Sequence, residues 1–173
     1  VFEKRLSHTA DSQDQRHRMV PASRPMMTLA DTTAPDYVTP RLIRQNDAAL
    51  AEYHQAMTDA WTAKNKLLAL GVPLEYALYV LPNAKALRMV ESGSFIALQH
   101  KWTLRTCFNA QEEIYLASMD EIAQVAASFA EMGDAYLAAR VAEGLPLTFP
   151  TTTGAPQPMC GGVLARARAT GVS

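Results

Sequence analysis

The sequence has little of what would mark a secreted, membrane-spanning or strongly charged protein. It has only two cysteines, Cys107 and Cys160, and these lie far apart and fit no metal-binding spacing. No apolar run approaches the ~20 residues that cross a bilayer, and the N-terminus carries no apolar signal segment. The formal net charge is −1, so no overall field attracts nucleic acid or an anionic membrane. We therefore expect a cytoplasmic protein with reduced thiols that binds neither nucleic acid nor a membrane.

The residues that are present are typical of one globular domain followed by a tail. Apolar residues make up 49% of the chain and charged residues 19%, which is usual for a globular protein. From Leu145 onward, four prolines and four glycines exclude regular structure. The sequence thus predicts a domain over 1–144 and an irregular tail over 145–173. A start at Val1, with no methionine, is typical of a fragment that lacks its N-terminal part.

The first quarter of the chain has no sustained hydrophobic period. Val1–Leu6 predicts a short strand, and the Pro- and Thr-rich residues up to 45 predict a turn and a long irregular loop. A loop of this length inside a compact domain is more often functional or poorly ordered than incidental.

The clearest element is a long helix over about 46–70. Its apolar residues recur at helical spacing, and Asn46 and Gly71 suit its N-cap and its C-terminal end. Pro73 can open a second, shorter helix. Pro82 ends it, because the residue before a proline avoids the helical region.

The second half of the domain predicts one strand and two helices. The strand covers 85–91, and a helix over about 94–102 follows, with Phe95, Leu98 and Trp102 on one side. The sequence therefore predicts an α+β fold in which long helices pack on a small mixed sheet. The face with Phe95, Leu98 and Trp102, together with the last helix, offers more apolar surface than one small sheet can cover. We therefore also expect an oligomer.

The last long helix is predicted over about 109–143. Asn109 can cap it while Glu112 reaches back, which completes a capping box. Its apolar stripe continues to Arg140, and the capping pattern repeats at 118–121, which indicates a break.

Two clusters could carry chemistry. Arg16-His17-Arg18 offers about ten N–H donors on its two guanidiniums, which suits a diphosphate or an electron-rich ring. Arg105 precedes the predicted helix at Asn109 and could bind an anion together with the free amides of that helix. Taken singly, each pattern is more often structural, because the tripeptide occurs by chance and a lone arginine before a helix often tethers a loop.

The ordered set of motifs resembles the flavin-dependent thymidylate synthase family. The set comprises, in order, Gln13-x-x-Arg16-His17-Arg18, a Pro-rich loop, a long helix, Val80-Leu81-Pro82, Arg105 and Ala110-Gln111-x-Glu113-Ile114. The resemblance covers roughly Gln13 to Tyr136. It implies a fold like that of the thymidylate synthase complementing proteins and a homotetramer whose active sites are shared between subunits.

The resemblance also implies an activity and its residues. In that family FAD is reduced by NADPH, methylene tetrahydrofolate supplies the carbon, and a pyrimidine nucleotide is methylated (dUMP to dTMP). By position, the residues that would hold flavin are Arg16, His17, Arg18 and Asn109. Gln13 and Arg105 would face the nucleotide, and Arg105 would act in catalysis by stabilising negative charge that develops on the uracil.

The sequence departs from the family pattern at several of these positions. The family continues RHRxxSxNExSxRY, and the corresponding residues here are Pro21, Ser23, Arg24, Met26, Thr28 and Leu29. Leu78 stands in place of an arginine before Leu81-Pro82, Ser94 and Ile96 replace an Asn and an Arg that touch flavin, and Asn109 replaces a His. Each lost charge-assisted hydrogen bond costs about 1.5–3 kcal/mol, so these losses together predict loss of deoxyuridylate affinity.

Three hypotheses follow from the sequence. The chain is an active flavin enzyme with replacement contacts; or it is a degenerate member, such as half of a tandem protein, that keeps a structural or assembly role; or it is an unrelated helical domain whose basic loop binds an anion or nucleic acid. An active flavin enzyme would be yellow with bound FAD. An unrelated helical domain with a basic loop would bind nucleic acid in a salt-dependent manner.

Overall fold

The computed structural model describes residues 1–107 and 110–133. They divide into two compact units. The first unit comprises Val1, Glu3–Arg16 and Ala22–Glu91, and the second comprises Phe2, His17–Pro21 and the described residues from Ser92 onward. The predicted domain end at 144 and the predicted tail over 145–173 lie outside the described residues.

A three-stranded sheet has the order β1-β3-β2. Its strands are β1 (Phe2–Ser7), β2 (Ala22–Ser23) and β3 (Ala86–Glu91). In the pair β2–β3, Ala22 lies opposite Glu91 and Ser23 opposite Val90. The predicted α+β class with a small sheet is confirmed, although the sheet is antiparallel where a mixed one was expected.

Both predicted strands are present, and a third was missed. β1 corresponds to the strand predicted over 1–6, and β3 to the one over 85–91. In β3, exposed Arg88 and Val90 alternate with buried Met89 and Glu91, as the two-residue period of a strand requires. β2 has only two residues, too few to show any period in the sequence.

Two short helices occupy part of the segment that the sequence predicts to be an irregular loop. α1 (His8–Asp14) begins directly after β1, where the Ser7 hydroxyl accepts a hydrogen bond from the Ala10 amide at 3.1 Å. α2 (Arg41–Arg44) is a single turn that follows Pro40. The loop prediction was wrong here because helices this short leave no measurable hydrophobic stripe.

The long helix α3 (Asp47–Ala69) confirms the clearest sequence prediction. The Asn46 side chain accepts from the Ala49 amide at 3.1 Å, so it is the N-cap that the sequence indicated. Gly71 has a φ of +84°, the left-handed geometry in which glycine ends a helix without strain.

The elements after α3 also match the prediction. α4 (Leu74–Ala77) follows Pro73 and continues into a 3₁₀ turn (Leu78–Val80), and Leu81 before Pro82 is extended. α5 (Phe95–Arg105) begins after Ser94, whose hydroxyl accepts from the Ala97 amide at 3.3 Å.

The last described helix corrects the sequence prediction at two points. α6 runs Glu112–Glu131 with Gln111 as its N-cap and no side-chain capping bond, so Asn109 is not the cap. The helix is continuous through 118–121, where a break was expected. It ends at Glu131, and the predicted continuation to Arg140 lies outside the described residues. The extended backbone of Gln111 starts the helix without a capping side chain, which the residue types alone do not reveal.

The core of the second unit joins α5 to α6. Leu98, Trp102 and Ile122 are buried together, and Phe95 packs edge-on against Phe129 with ring centroids 5.4 Å apart. The apolar face of α5 is therefore covered within the chain. The oligomer was predicted because this face was expected to be uncovered, so the prediction loses that support.

Candidate functional site

Gln13 and Arg16 lie at the end of α1 in the first unit. Gln13 is half-buried in the last turn of α1, and its carbonyl accepts a hydrogen bond from the Arg16 amide at 3.3 Å. Arg16 is exposed in the turn that follows. Its guanidinium forms no ion pair with the described carboxylates.

His17 and Arg18 belong to the second unit, and their surroundings differ. His17 is buried, and its ring lies against the ring of His100 on α5, with centroids 5.4 Å apart and planes tilted by 49°. Arg18 is exposed, and none of the carboxylates at the described positions pairs with it. Its guanidinium is accessible to an anionic ligand, whereas the imidazole of His17 has a protein neighbour.

Arg105 is half-buried in the last turn of α5, where a cation interacts favourably with the helix dipole. The expected convergence of Arg105 with the helix start at Asn109 is not supported, because α6 starts at Glu112. Glu112 and Glu113 place two carboxylates in the first turn of α6, and their negative charge disfavours the binding of an anionic ligand there. Asn109 itself lies outside the described residues.

A network of buried charges in the first unit was not predicted from the sequence. The Lys4 ammonium lies 3.3 Å from an Asp14 oxygen and also pairs with Glu91. The Arg24 Nε donates to Asp11 at 2.6 Å, and Arg24 Nη2 lies 3.9 Å from Asp14. The three-residue spacing of Asp11 and Asp14 was the available signal, since it places both carboxylates on one face of a helix.

A second ion-pair group is centred on Asp36. Its two carboxylate oxygens accept from Arg5 at 2.8 Å and from Arg88 at 2.6 Å. Burial by itself raises the pKa of Asp36, but the hydrogen bonds and charges of Arg88 and Arg5 outweigh it and hold the pKa below the usual 3.8.

We expect Asp36 to stabilise the fold in a pH-dependent way. A carboxyl whose pKa is lower in the folded state contributes stability above its unfolded pKa, and this stability is lost as the pH falls through the folded pKa. Asp36→Asn should therefore destabilise the protein near neutral pH, and its difference from the unmodified protein should shrink below about pH 4.

Urea denaturation of both proteins between neutral and acidic pH measures this. Asp59→Asn is the matched control, because Asp59 is an exposed carboxylate on α3 whose side chain accepts from Gln55 at 2.9 Å. A constant difference between Asp36→Asn and the unmodified protein across the pH range would contradict the prediction.

Two buried lysines fix the segment 30–32. Lys64 Nζ donates to Asp31 Oδ1 at 2.6 Å and to the Thr32 carbonyl at 2.8 Å, and Lys85 Nζ donates to the Ala30 carbonyl. Burial lowers the pKa of Lys85, and the nearby carboxylates of Asp36 and Asp31 oppose that shift. Trp61 also donates to Thr32 through its indole nitrogen, at 3.1 Å to the carbonyl.

An open groove of about 500 Å³ lies in the first unit. Its lining comes from β1 (Glu3), from β3 (Arg88, Met89 and Val90) and from the segment that starts at the end of β2 (Ser23, Arg24, Pro25, Met26 and Leu29). Met26 and Leu29 are exposed to solvent there. The groove thus combines apolar side chains with two guanidiniums, each held by a carboxylate.

No group of three or more His, Cys, Asp or Glu side chains suited to a metal ion is found among residues 1–107 and 110–133. Nor is any helix in that part of the chain long and apolar enough to cross a membrane.

Comparison with known proteins shows the family of the chain. The family model of the thymidylate synthase complementing proteins matches residues 1–129. The chain belongs to that family. A flavin-dependent thymidylate synthase of Nitratidesulfovibrio vulgaris is 33% identical over 117 residues, which cover 63% of this chain and 48% of that protein. The chain thus spans about half the length of the curated relative that it matches.

A second group of similar proteins matches only a short stretch. An anhydro-N-acetylmuramic acid kinase of Mesorhizobium japonicum is 68% identical over 31 residues, which are 18% of this chain and 8% of the kinase. The corresponding kinase of Caulobacter vibrioides is 71% identical over 28 residues, also 8% of its length. A match to so small a part of a kinase carries no conclusion about activity.

The thymidylate synthase complementing protein model extends over the first unit and into α6, so it includes every predicted site residue. The arginines that the sequence resemblance implies for the site, Arg16, Arg18 and Arg105, lie within the matched range. At the position where that resemblance implies a glutamate, the structure has Arg24 paired with Asp11.

Proposed function

We propose that the chain takes part in the FAD-dependent methylation of a uracil ring. In the family resemblance the ring is carried by a nucleotide (dUMP to dTMP), methylene tetrahydrofolate supplies the carbon and NADPH the reducing equivalents. The observation that carries the proposal is the family match over residues 1–129, within which the Arg16-His17-Arg18 motif and Arg105 are retained. The flavin-dependent enzyme that is 33% identical supports it.

The exposed arginines of the motif have suitable donors for FAD. Arg16 and Arg18 are both exposed, and neither guanidinium is neutralised by a carboxylate of the described chain. Planar guanidiniums with fixed N–H donors match the oxygens of a diphosphate. His17 fits less well, because its ring packs against His100. When bound, the flavin would supply the hydride that the methylation requires.

The remaining roles concern the pyrimidine. Gln13 would contact the base or sugar, and Arg105 would stabilise the negative charge that develops on the ring. Asn109 is proposed to contact the flavin by its position in the motif order. No enzyme nucleophile enters this mechanism, so the protein's contribution is binding, orientation and polarisation.

A degenerate domain with a structural or assembly role is the second candidate function. The specific observation in its favour is Arg24, which stands at the family's glutamate position and is committed to Asp11 and Asp14. A charge of opposite sign, already paired within the chain, cannot replace that glutamate toward a nucleotide. As half of a tandem protein, such a domain would support a partner that does the chemistry.

The absorption spectrum of the purified chain separates the two candidates. An active enzyme carries flavin and absorbs in the visible, or takes up added FAD and quenches its fluorescence. A degenerate domain stays colourless and leaves the fluorescence of added FAD unchanged. The latter result would end the flavin proposal.

Arg105→Lys tests the proposed role of Arg105 in catalysis. The variant keeps the charge but loses the planar fork, so we expect the melting temperature to stay within a few degrees while most nucleotide affinity or turnover is lost. Arg41→Lys on α2 is the matched control, since Arg41 is exposed and belongs to no proposed site. A lower melting temperature with binding intact would show that Arg105 is structural.

The assembly is proposed on the resemblance, and the location on the sequence-based expectation of a cytoplasmic protein. We propose a homotetramer in the cytoplasm. Light scattering at micromolar concentration tests the assembly, and a monomer there would count against it.

A further inference from the structure

The outer edge of β1 carries backbone groups that can pair with a further strand. β1 lies at one end of the sheet order β1-β3-β2, so only one of its two edges faces β3. His8, directly after the strand, donates its amide toward β3, to the Lys85 carbonyl at 2.9 Å. Hydrogen-bonding directions alternate along a strand, so Glu3 and Arg5 present their amides and carbonyls at the outer edge. Within residues 1–107 and 110–133, neither has a backbone hydrogen bond outside the sheet.

The side chains along this edge suit a second copy of the same strand. A six-residue edge strand is a template for pairing, which proteins commonly prevent with charged side chains. Two such edges repel each other when their charges are alike, but here Glu3 and Arg5 are exposed side chains of opposite sign. We propose that β1 is an interface strand, through which two copies of this chain pair antiparallel and form one continuous sheet. This interface follows from the edge itself and is independent of the flavin proposal.

The charges select one register for the pair. A two-fold axis at Lys4 places Glu3 of each copy opposite Arg5 of the other. An axis at Glu3 or at Arg5 would instead place like charges opposite each other, which destabilises a cross-strand pair. An axis between two residues would bring side chains of opposite sheet faces together, because the period of a strand is two residues. The axis at Lys4 therefore satisfies the backbone hydrogen bonds and the charges together.

Both charged side chains have the capacity for such a contact. Glu3 is exposed and forms no ion pair with the described residues. The Arg5 side chain is 44% exposed, and its hydrogen bonds to Asp36 at 2.8 Å and to the Tyr37 carbonyl at 2.9 Å both use Nη2. Its Nε and Nη1 therefore keep donors for a carboxylate. Asp36 and Tyr37 thus position the Arg5 guanidinium without saturating it.

The buried face of β1 tolerates an axis at Lys4. The two Lys4 side chains would be neighbours there, but each ammonium is held within its own chain, 3.3 Å from an Asp14 oxygen and paired with Glu91. Together with Asp11 and Arg24, these residues form a network of three carboxylates and two cations. The excess negative charge of each network offsets the repulsion between the two ammoniums.

Sedimentation of the full chain over about a hundredfold range of concentration tests the interface. We expect the unmodified chain to self-associate. Glu3→Lys places a lysine opposite Arg5 of each partner copy, so it should weaken the association about tenfold. Glu52→Lys is the matched control, because it makes the same charge change at an exposed glutamate on α3. Equal association of these two variants would overturn the proposal. So would an unmodified chain that stays monomeric, which would leave the edge to a strand of another polypeptide.

A proline at position 3 tests the backbone contribution separately from the charges. Glu3→Pro removes an amide that points outward and leaves the hydrogen bonds between β1 and β3 in place, as prolines in natural edge strands do. We expect its melting temperature to stay within a few degrees of that of the unmodified chain while self-association is lost. A Glu3→Pro chain that remains folded and associates normally would contradict pairing through this edge.

Disulfide formation checks the register. Residues opposite each other in a hydrogen-bonded antiparallel pair have Cα atoms about 5.5 Å apart, a distance that a disulfide spans. In a Cys107→Ser/Cys160→Ser background, an equimolar mixture of Glu3→Cys and Arg5→Cys chains should therefore form a mixed disulfide on air oxidation. Either chain alone should form far less, because its new cysteine lies opposite an arginine or a glutamate. A Glu3→Cys chain that links to itself as readily would refute the axis at Lys4.

The outcome can be separated from those of the flavin and homotetramer proposals. A chain that pairs through β1 but takes up no FAD supports this interface and removes the proposed reaction. An assembly that both position-3 variants leave unchanged is held by other surfaces, in which case the homotetramer stands and this inference falls.

Discussion

Replacing Glu121 with leucine should lower the free energy of unfolding by about 3–5 kcal/mol, because it leaves a buried ammonium without its carboxylate. Lys101 and Glu121 are almost fully buried in the second unit, with Lys101 Nζ 3.2 Å from Oε1 of Glu121. The same carboxylate accepts from the indole nitrogen of Trp102 at 2.7 Å. The variant thus removes an acceptor from two buried donors. Urea denaturation followed by tryptophan fluorescence measures the loss.

The neighbouring carboxylate provides the control for Glu121. Asp120 is exposed on the same helix, where it accepts from Gln124 at 2.8 Å, so Asp120→Leu should change stability by less than about 1 kcal/mol. The double variant Lys101→Met/Glu121→Leu should recover much of the loss, since an apolar pair can replace a buried ion pair. If the double variant is less stable than Glu121→Leu alone, the loss of the Lys101–Glu121 ion pair is not the cause.

Trp61→Ala should cost about 3–5 kcal/mol and lower the melting temperature by about 10 °C. Trp61 is 1% exposed on α3, and its indole nitrogen donates to the carbonyl and the hydroxyl of Thr32. The substitution opens a cavity beneath the segment 30–32 and removes one of the contacts that hold it.

Two variants resolve that cost into its parts. Trp61→Phe keeps an apolar ring but loses the donor, so it should cost about 1–3 kcal/mol. Tyr79→Ala removes an aromatic ring that is 86% exposed and should have little effect. Thermal unfolding followed by circular dichroism measures all three. A loss in Trp61→Ala no larger than that in Tyr79→Ala would contradict the burial argument.

The elements that the sequence predicted are those whose ends carry local signals. α3 begins directly after its N-cap Asn46 and ends before Gly71 as predicted, because a capping amide and a left-handed glycine act on the adjacent backbone. α6 was placed three residues too early, because its N-cap Gln111 makes no side-chain capping hydrogen bond that the sequence could indicate. α1 and β2 were missed because elements of seven and two residues show no period.

The candidate site could be predicted only in part for a related reason. The order of the motifs identified the family, because each motif is a short run of residues that can be recognised in the sequence by itself. The network of Arg24 with Asp11 and Asp14 joins a loop to a helix, and Asp36 joins β1 to β3 through Arg5 and Arg88. Such contacts depend on strand pairing and register, and no single stretch of sequence contains them.

The fixed ends of the segment 24–32 have a consequence for engineering. Its anchors are the Arg24 guanidinium and residues 30–32, whose partners lie on α1, α3 and β3. Residues 25–29 lie between these anchors and can be exchanged as one cassette while the anchors are retained. A library of variants restricted to these positions would therefore change the lining of the groove without removing the ion pairs and hydrogen bonds that hold the segment at both ends.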